Sequence, residues 1–280
     1  MFLKGAFNLK YRSLFPFIAA FVLAVLHWAC SSSSVQQNLT AEQRLEVGKK
    51  KFDDGDYTEA IAEFETIRLQ FPGSGVADKA QYSLGECRFK QEEYLLAAEE
   101  YQALKRNMPA SPLVPDAQYK IALCYYDMAP KSPLDQSYAL RAIDEFQTFV
   151  EYYPKHELVP DAEAKITELN TRLAKKLYDS AQLYMKMEYY KAAGIYYNSV
   201  FEKYHDTPFA EPALLGKVRA LVARKKYDDA RSEIERFLAR YPNSAQRPEA
   251  ESLQRDILDH VKSRSAAIIP GELEFCSTIS

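Results

Sequence analysis

The chain has 280 residues, with 36 Lys or Arg against 39 Asp or Glu and 13% aromatic side chains. A mildly acidic balance without a basic run gives no footing for nucleic acid, and nine glycines leave little material for phosphate-cradling loops. Four cysteines without regular short spacing make neither a disulfide framework nor a zinc site. At the start of the chain, Lys4, Lys10 and Arg12 precede an apolar run from Leu14 to Leu26 that leads to Ala29-Cys30. That run is too short to span a bilayer as a helix, and four serines follow it where a membrane anchor would carry a basic cluster. Residues 1–29 are therefore expected to be a cleaved export signal. Ser31 to Asn38 are small and polar, as a flexible tether over residues 30–40 should be.

A repeat begins at Ala41. Gly48, Tyr57, Ala60, Phe64 and Pro72 recur as Gly85, Tyr94, Ala97, Tyr101 and Pro109, each pair 37 residues apart. These spacings match the tetratricopeptide helix pair. The small residues let two helices approach closely. The aromatic one turn after the second small residue fills the space towards the next pair, and proline cannot donate the bond that would continue the second helix. Asp54-Gly55-Asp56 supplies the tight turn between the helices. The pattern predicts repeats near 41–75 and 78–112, with less regular copies near 115–157, 160–207 and 211–245. In the third copy, Met128 to Ser137 carries Pro130 and Pro133 and reads as an enlarged turn. The fourth opens with Pro160-Asp161 and keeps apolar spacing through Ile166, Leu169 and Leu173, which predicts a first helix lengthened at its front. In the fifth, Val218 takes the first small position, so a wider crossing is expected there. A capping helix from about Glu249 to Lys262 would close a domain over 41–262, and the tail 263–280 has no helical period and is expected to be loose. The fold class is all-α, a solenoid of about five helix pairs with a C-terminal cap.

Ala29 before Cys30 resembles the lipobox of bacterial lipoproteins, in which the cysteine sulfur takes a diacylglycerol and becomes the mature N-terminus. His27 stands where that motif usually has Leu. The same resemblance implies the outer membrane, because Ser31 and not Asp follows the cysteine. Repeats and lipobox together resemble the BamD family of the outer-membrane β-barrel assembly machinery, from about Cys30 to Pro242. The likeness rests on the endings Gln70-Phe71-Pro72, Tyr152-Tyr153-Pro154, Lys203-Tyr204-His205 and Arg240-Tyr241-Pro242. It rests also on Arg172-Leu173-Ala174 followed by Tyr178, Ala181, Tyr184, Ala192 and Val200. The long turn around Pro130 and His205 in place of Pro depart from the pattern. The resemblance implies a protein held by the lipid on Cys30 at the periplasmic face of the outer membrane, with no cofactor and no catalysis. The implied partners are a BamA-like barrel protein through its POTRA domains, other lipoproteins of the assembly complex, and unfolded outer-membrane proteins read at their C-terminal strand.

Counting Ala41, Asp78 and Pro115 as first positions, position five carries Leu45, Tyr82 and Tyr119, and position twelve carries Phe52, Phe89 and Tyr126. First helices line the concave groove of such a solenoid. This stripe is therefore expected to hold an extended peptide, with Lys49, Lys79, Lys90 and Lys120 on or beside it to meet a carboxylate. Ordinary packing between helices also produces aromatic stripes at helical spacing. In repeats four and five the same positions hold Tyr178, Met185, Leu215 and Val222, so the aromatic stripe is confined to the early repeats; with the family resemblance this implies peptides at the first three repeats and a large folded partner at the last two. Cys87 and Cys124 occupy equivalent positions, which allows a disulfide or two buried thiols; cysteine's packing as a small apolar residue favours the thiols. Two other functions fit an exported helical repeat. A periplasmic scaffold coordinating cell-wall synthesis with division usually has a coiled coil before its repeats, whereas this first repeat begins about ten residues after Cys30. A nutrient-capturing helical lipoprotein needs large loop insertions, and Met128 to Ser137 is the sizeable one here.

Overall fold

The computed structural model describes residues 38–130 and 134–268. The expected signal, Cys30, most of the tether, Pro133 and the segment 269–280 with Cys276 lie outside the described residues. The helices pair in chain order: α1 (Ala41–Asp53) with α2 (Tyr57–Gln70), α3 (Ala77–Lys90) with α4 (Tyr94–Asn107), and α5 (Val114–Met128) with α6 (Ser137–Tyr152). Then come α7 (Val159–Lys186) with α8 (Tyr190–Lys203), α9 (Ala210–Ala223) with α10 (Tyr227–Arg240), and the cap α11 (Arg247–Ile268). Each helix packs on the next, so the described residues form an all-α solenoid without strands. Its first helix is started by a capping box: Thr40 Oγ1 accepts from the Gln43 amide at 3.3 Å, and the Thr40 amide donates to Gln43 Oε1 at 3.0 Å.

Close packing within a pair follows from the small residues. A Cβ on Gly48 would stand 2.5 Å from the Phe64 ring, and one on Gly85 would stand 2.5 Å from Tyr101. Val218 is matched differently. The aromatic position of its repeat holds Ile234, and both side chains are fully buried in one cluster, so volume is exchanged between the two helices.

The turns of repeats one, two, four and five share one conformation. Gly55 has φ +86°, and Glu92, Glu188 and Lys225 at the same place in later repeats have φ of 61°, 61° and 58°. Holding an L-residue there costs about 1 kcal/mol that glycine does not incur. Lys225→Gly should therefore raise the urea midpoint by an amount equivalent to about 1 kcal/mol, with an unchanged slope; a lower midpoint would contradict the assignment.

A second regularity is polar. Arg44, Gln81 and Gln118 are buried at the fourth position of the first three repeats, and each is held by a glutamate of its own second helix. Arg44 Nη1 lies 2.9 Å from Glu63 Oε2. Gln81 Nε2 donates to the Glu100 carbonyl and carboxylate at 3.0 and 2.6 Å, and Gln118 Nε2 donates to the Glu145 carbonyl and carboxylate, both at 2.9 Å. In repeats four and five the position holds Leu177 and the buried Leu214. The early repeats are clasped by polar bonds where the late ones are filled by leucine.

The core is a series of clusters. One runs from Ala97 to Leu173 and the next takes in Ala174 to Ala220, so the boundary falls inside the 28-residue helix α7. The enlarged turn before α6 is fastened to that helix. Arg172 Nη1 donates to the carbonyls of Ala129 and Pro130 at 3.2 and 3.4 Å, and Lys176 Nζ donates to that of Leu134 at 2.8 Å. The cap is longer than its sequence period suggests. α11 continues to Ile268, so residues 263–268 are helical and not loose; Ser263 Oγ bonds the His260 carbonyl at 2.9 Å, Arg264 reaches Asp228 at 3.7 Å, and two alanines favour the helix.

Candidate binding groove

The residues at positions five and twelve of the early repeats divide by burial. Leu45 and Tyr119 are 3% and 7% exposed and belong to the core, Tyr119 meeting the rings of Phe146 and Phe149 at 5.6 and 5.5 Å. These two do not line an open groove, because their side chains are consumed by packing. Phe52, Tyr82, Phe89 and Tyr126 are half-buried. Each rests one side on a helix of its own repeat, Phe52 on Tyr57 at 5.4 Å, Tyr82 on Tyr101 at 5.3 Å, Phe89 on Tyr94 at 5.3 Å and Tyr126 on Phe146 at 6.3 Å. The packing that sequence patterning allows thus accounts for part of every ring.

Charge gathers around the last two. Lys120 Nζ sits 5.2 Å from the centre of Phe89 and 2.8 Å from Glu86, and Lys165 Nζ sits 4.7 Å from the centre of Tyr126 and 3.7 Å from Asp161. The Tyr126 hydroxyl donates to Glu168 at 2.6 Å. Burial and that bond push the Tyr126 hydroxyl up to about 12, and the same bond holds the Glu168 carboxyl below its usual range. Asp127 on the same helix is raised by desolvation against the pull of Lys165 and Lys120. The cluster places two ammonium groups against two aromatic faces, each also paired with a carboxylate, Lys120 with Glu86 and Lys165 with Asp161. Lys49 is exposed and paired with Glu46 at 2.9 Å, and Lys90 is exposed at the end of α3. Lys165 escaped the sequence reading because it belongs to the added front of α7, which reaches the groove only once that helix is folded against α5.

Cys87 and Cys124 are buried free thiols, both pushed up to about 12 by burial. Among the described residues no group of His, Cys, Asp or Glu is placed to hold a metal ion, and no helix is long and apolar enough to cross a membrane.

Stacked helix pairs with a half-open aromatic wall define a tetratricopeptide-repeat binding scaffold. The chain belongs to the YfiO family of outer membrane lipoproteins, the BamD type, whose family model matches residues 37–224. A tetratricopeptide-repeat model matches residues 212–244. No curated protein matches the chain. Solved structures with similar helix pairs include a tetratricopeptide-repeat protein from Parabacteroides merdae, 15% identical over 84% of this chain and 79% of that one, with a TM-score of 0.34. Another is the TPR2AB-domain:pHSP90 complex of yeast Sti1, 13% identical over 81% and 86% of the two chains, with a TM-score of 0.40.

Proposed function

We propose that this outer membrane lipoprotein works without catalysis as a subunit of the β-barrel assembly complex. It faces the periplasm, docks the BamA-like barrel protein through its late repeats and presents unfolded outer-membrane proteins from its early groove. The observation that carries the reading is the wall of Phe89 and Tyr126 with Lys120 and Lys165 over their faces, in a chain of the BamD type. Such a wall recognises an extended strand that ends in an aromatic residue, since ring contacts supply affinity and the ammonium groups meet the terminal carboxylate. Mild-detergent extraction followed by mass identification of co-purifying chains tests the assignment; a preparation without the barrel protein would overturn it.

Anchoring is part of the same proposal. Cys30→Ala should move the protein from the membrane to the soluble fraction, and the wild-type chain should carry lipid mass on its N-terminal peptide. Unchanged membrane retention of the variant would remove the anchor.

A further inference from the structure

The lengthened helix α7 leaves open a face that is covered in repeats two, three and five. At the third and tenth positions of the first helix, repeat two has Ala80 and Cys87, repeat three Ala117 and Cys124, and repeat five Ala213 and Ala220, all at most 1% exposed. Those pairs lie under the second helix of the preceding repeat; a Cβ on Gly194 of α8, for example, would stand 3.8 Å from that of Ala220. Repeat four has Lys176 and Leu183 at these places, and Leu183 is 56% exposed.

The cause is a difference of length. Helix α6 has 16 residues and α7 has 28, so after α6 has run alongside the front of α7 about 18 Å of α7 extends past it. The enlarged turn closes the slot at Lys176, whose ammonium binds the Leu134 carbonyl; beyond that point α8 packs on one face of α7 while the face that carries Leu183 stays exposed. Among the described residues no helix precedes α1 either, and there the tenth position is the exposed Lys50. Repeat four keeps a leucine.

The adjoining turn is altered in the same direction. Positions occupied by Asp54, Gln91 and Arg224 in other repeats hold Met187, and those occupied by Asp56, Glu93 and Lys226 hold Tyr189. Met187 and Tyr189 are 51% and 59% exposed. Lys186 and Lys191 flank this patch, both exposed and without an ion-pair partner among the described residues.

We propose that the back half of α7 is the seat of an amphipathic α-helix supplied by a partner protein, which takes the place of the missing second helix. The repeat itself dictates a helical occupant, because helices cover the equivalent faces of repeats two, three and five. The length of the slot asks for about 12 residues of helix, with an apolar stripe against Leu183 and Met187 and acidic residues against Lys186 and Lys191. The inference rests on the reading that the late repeats dock a partner, and it gives that partner a chemistry.

The test uses the full-length lipoprotein in detergent and a labelled 14-residue helix with leucines at i, i+3, i+4 and i+7 and glutamates on its flanks. Fluorescence anisotropy should show saturable binding that weakens at least tenfold in a Leu183→Glu, Met187→Glu double variant. Binding should persist in Ile195→Glu, a control at an equally exposed leucine-sized residue on α8. Melting curves establish that each variant is folded. No binding to the wild type, or equal binding to the double variant, overturns the proposal. So does a wild-type dimer in sedimentation that the double variant abolishes, which would make a second copy the occupant. If the barrel protein co-purifies normally with the double variant, this seat is wrong and the assembly reading stands; if it fails to co-purify with the wild type, the assembly reading itself is wrong.

Discussion

Tyr101→Ala should cost about 3–5 kcal/mol of stability, the range for emptying a fully buried aromatic site. Tyr101 is 0% exposed, its ring lies against the backbone at Gly85 and beside Tyr82, and its hydroxyl donates to Glu86. The neighbours cannot collapse into the space, because Gly85 has no side chain to extend and both helices are fixed by the Gln81 bonds to Glu100. Tyr101→Phe separates the two parts of the interaction. It keeps the ring, which is the residue used at the equivalent Phe64 and Phe146, and leaves Glu86 bound to Lys120 at 2.8 Å. Its cost should be about 1 kcal/mol. Denaturant unfolding followed by circular dichroism measures both. Equal losses in the two variants would show that the hydroxyl, and not the ring, holds the second repeat.

The second large effect belongs to the groove. Phe89→Ala and Tyr126→Ala should each weaken binding of a C-terminal outer-membrane peptide by about 2 kcal/mol, some thirtyfold, as loss of an anchor in an interface does. Since each ring is only half-buried, the melting temperature should fall less than for Tyr101→Ala. Tyr126→Phe isolates the hydroxyl bond to Glu168 and should leave the affinity nearly intact, because the face under Lys165 remains. A fall in melting temperature as large as that of Tyr101→Ala, with peptide affinity unchanged, would reduce both rings to packing.

The repeat was legible because glycine and a large ring are complementary: Gly48 with Phe64 and Gly85 with Tyr101 advertise a close crossing at a constant offset. The swap of Val218 with Ile234 shows the limit of that signal, since a crossing can conserve volume while losing both signature residues. The clasps of Arg44, Gln81 and Gln118 were not legible. A polar side chain at a regular helical place reads as solvent-facing until a carboxylate on another helix is seen to satisfy it. The open groove was overread at Leu45 and Tyr119 for a related reason. A position names a helix face, and the depth of that face depends on what the neighbouring repeat places over it. The uncovered part of α7 required comparing two helix lengths in three dimensions, which no single motif carries.

The seam inside α7 has a mechanical consequence. In a solenoid each layer bears only on its neighbours, so a pull between the lipid end and a partner at the far end is borne in series and yields at the softest layer. Between the cluster that ends at Leu173 and the one that begins at Ala174, side-chain packing alone would be such a place. There the load passes instead through a continuous column of backbone hydrogen bonds along one helix, with Arg172 and Lys176 bracing it against the preceding turn. The molecule is in this sense a strut whose two halves are spliced by a single rod.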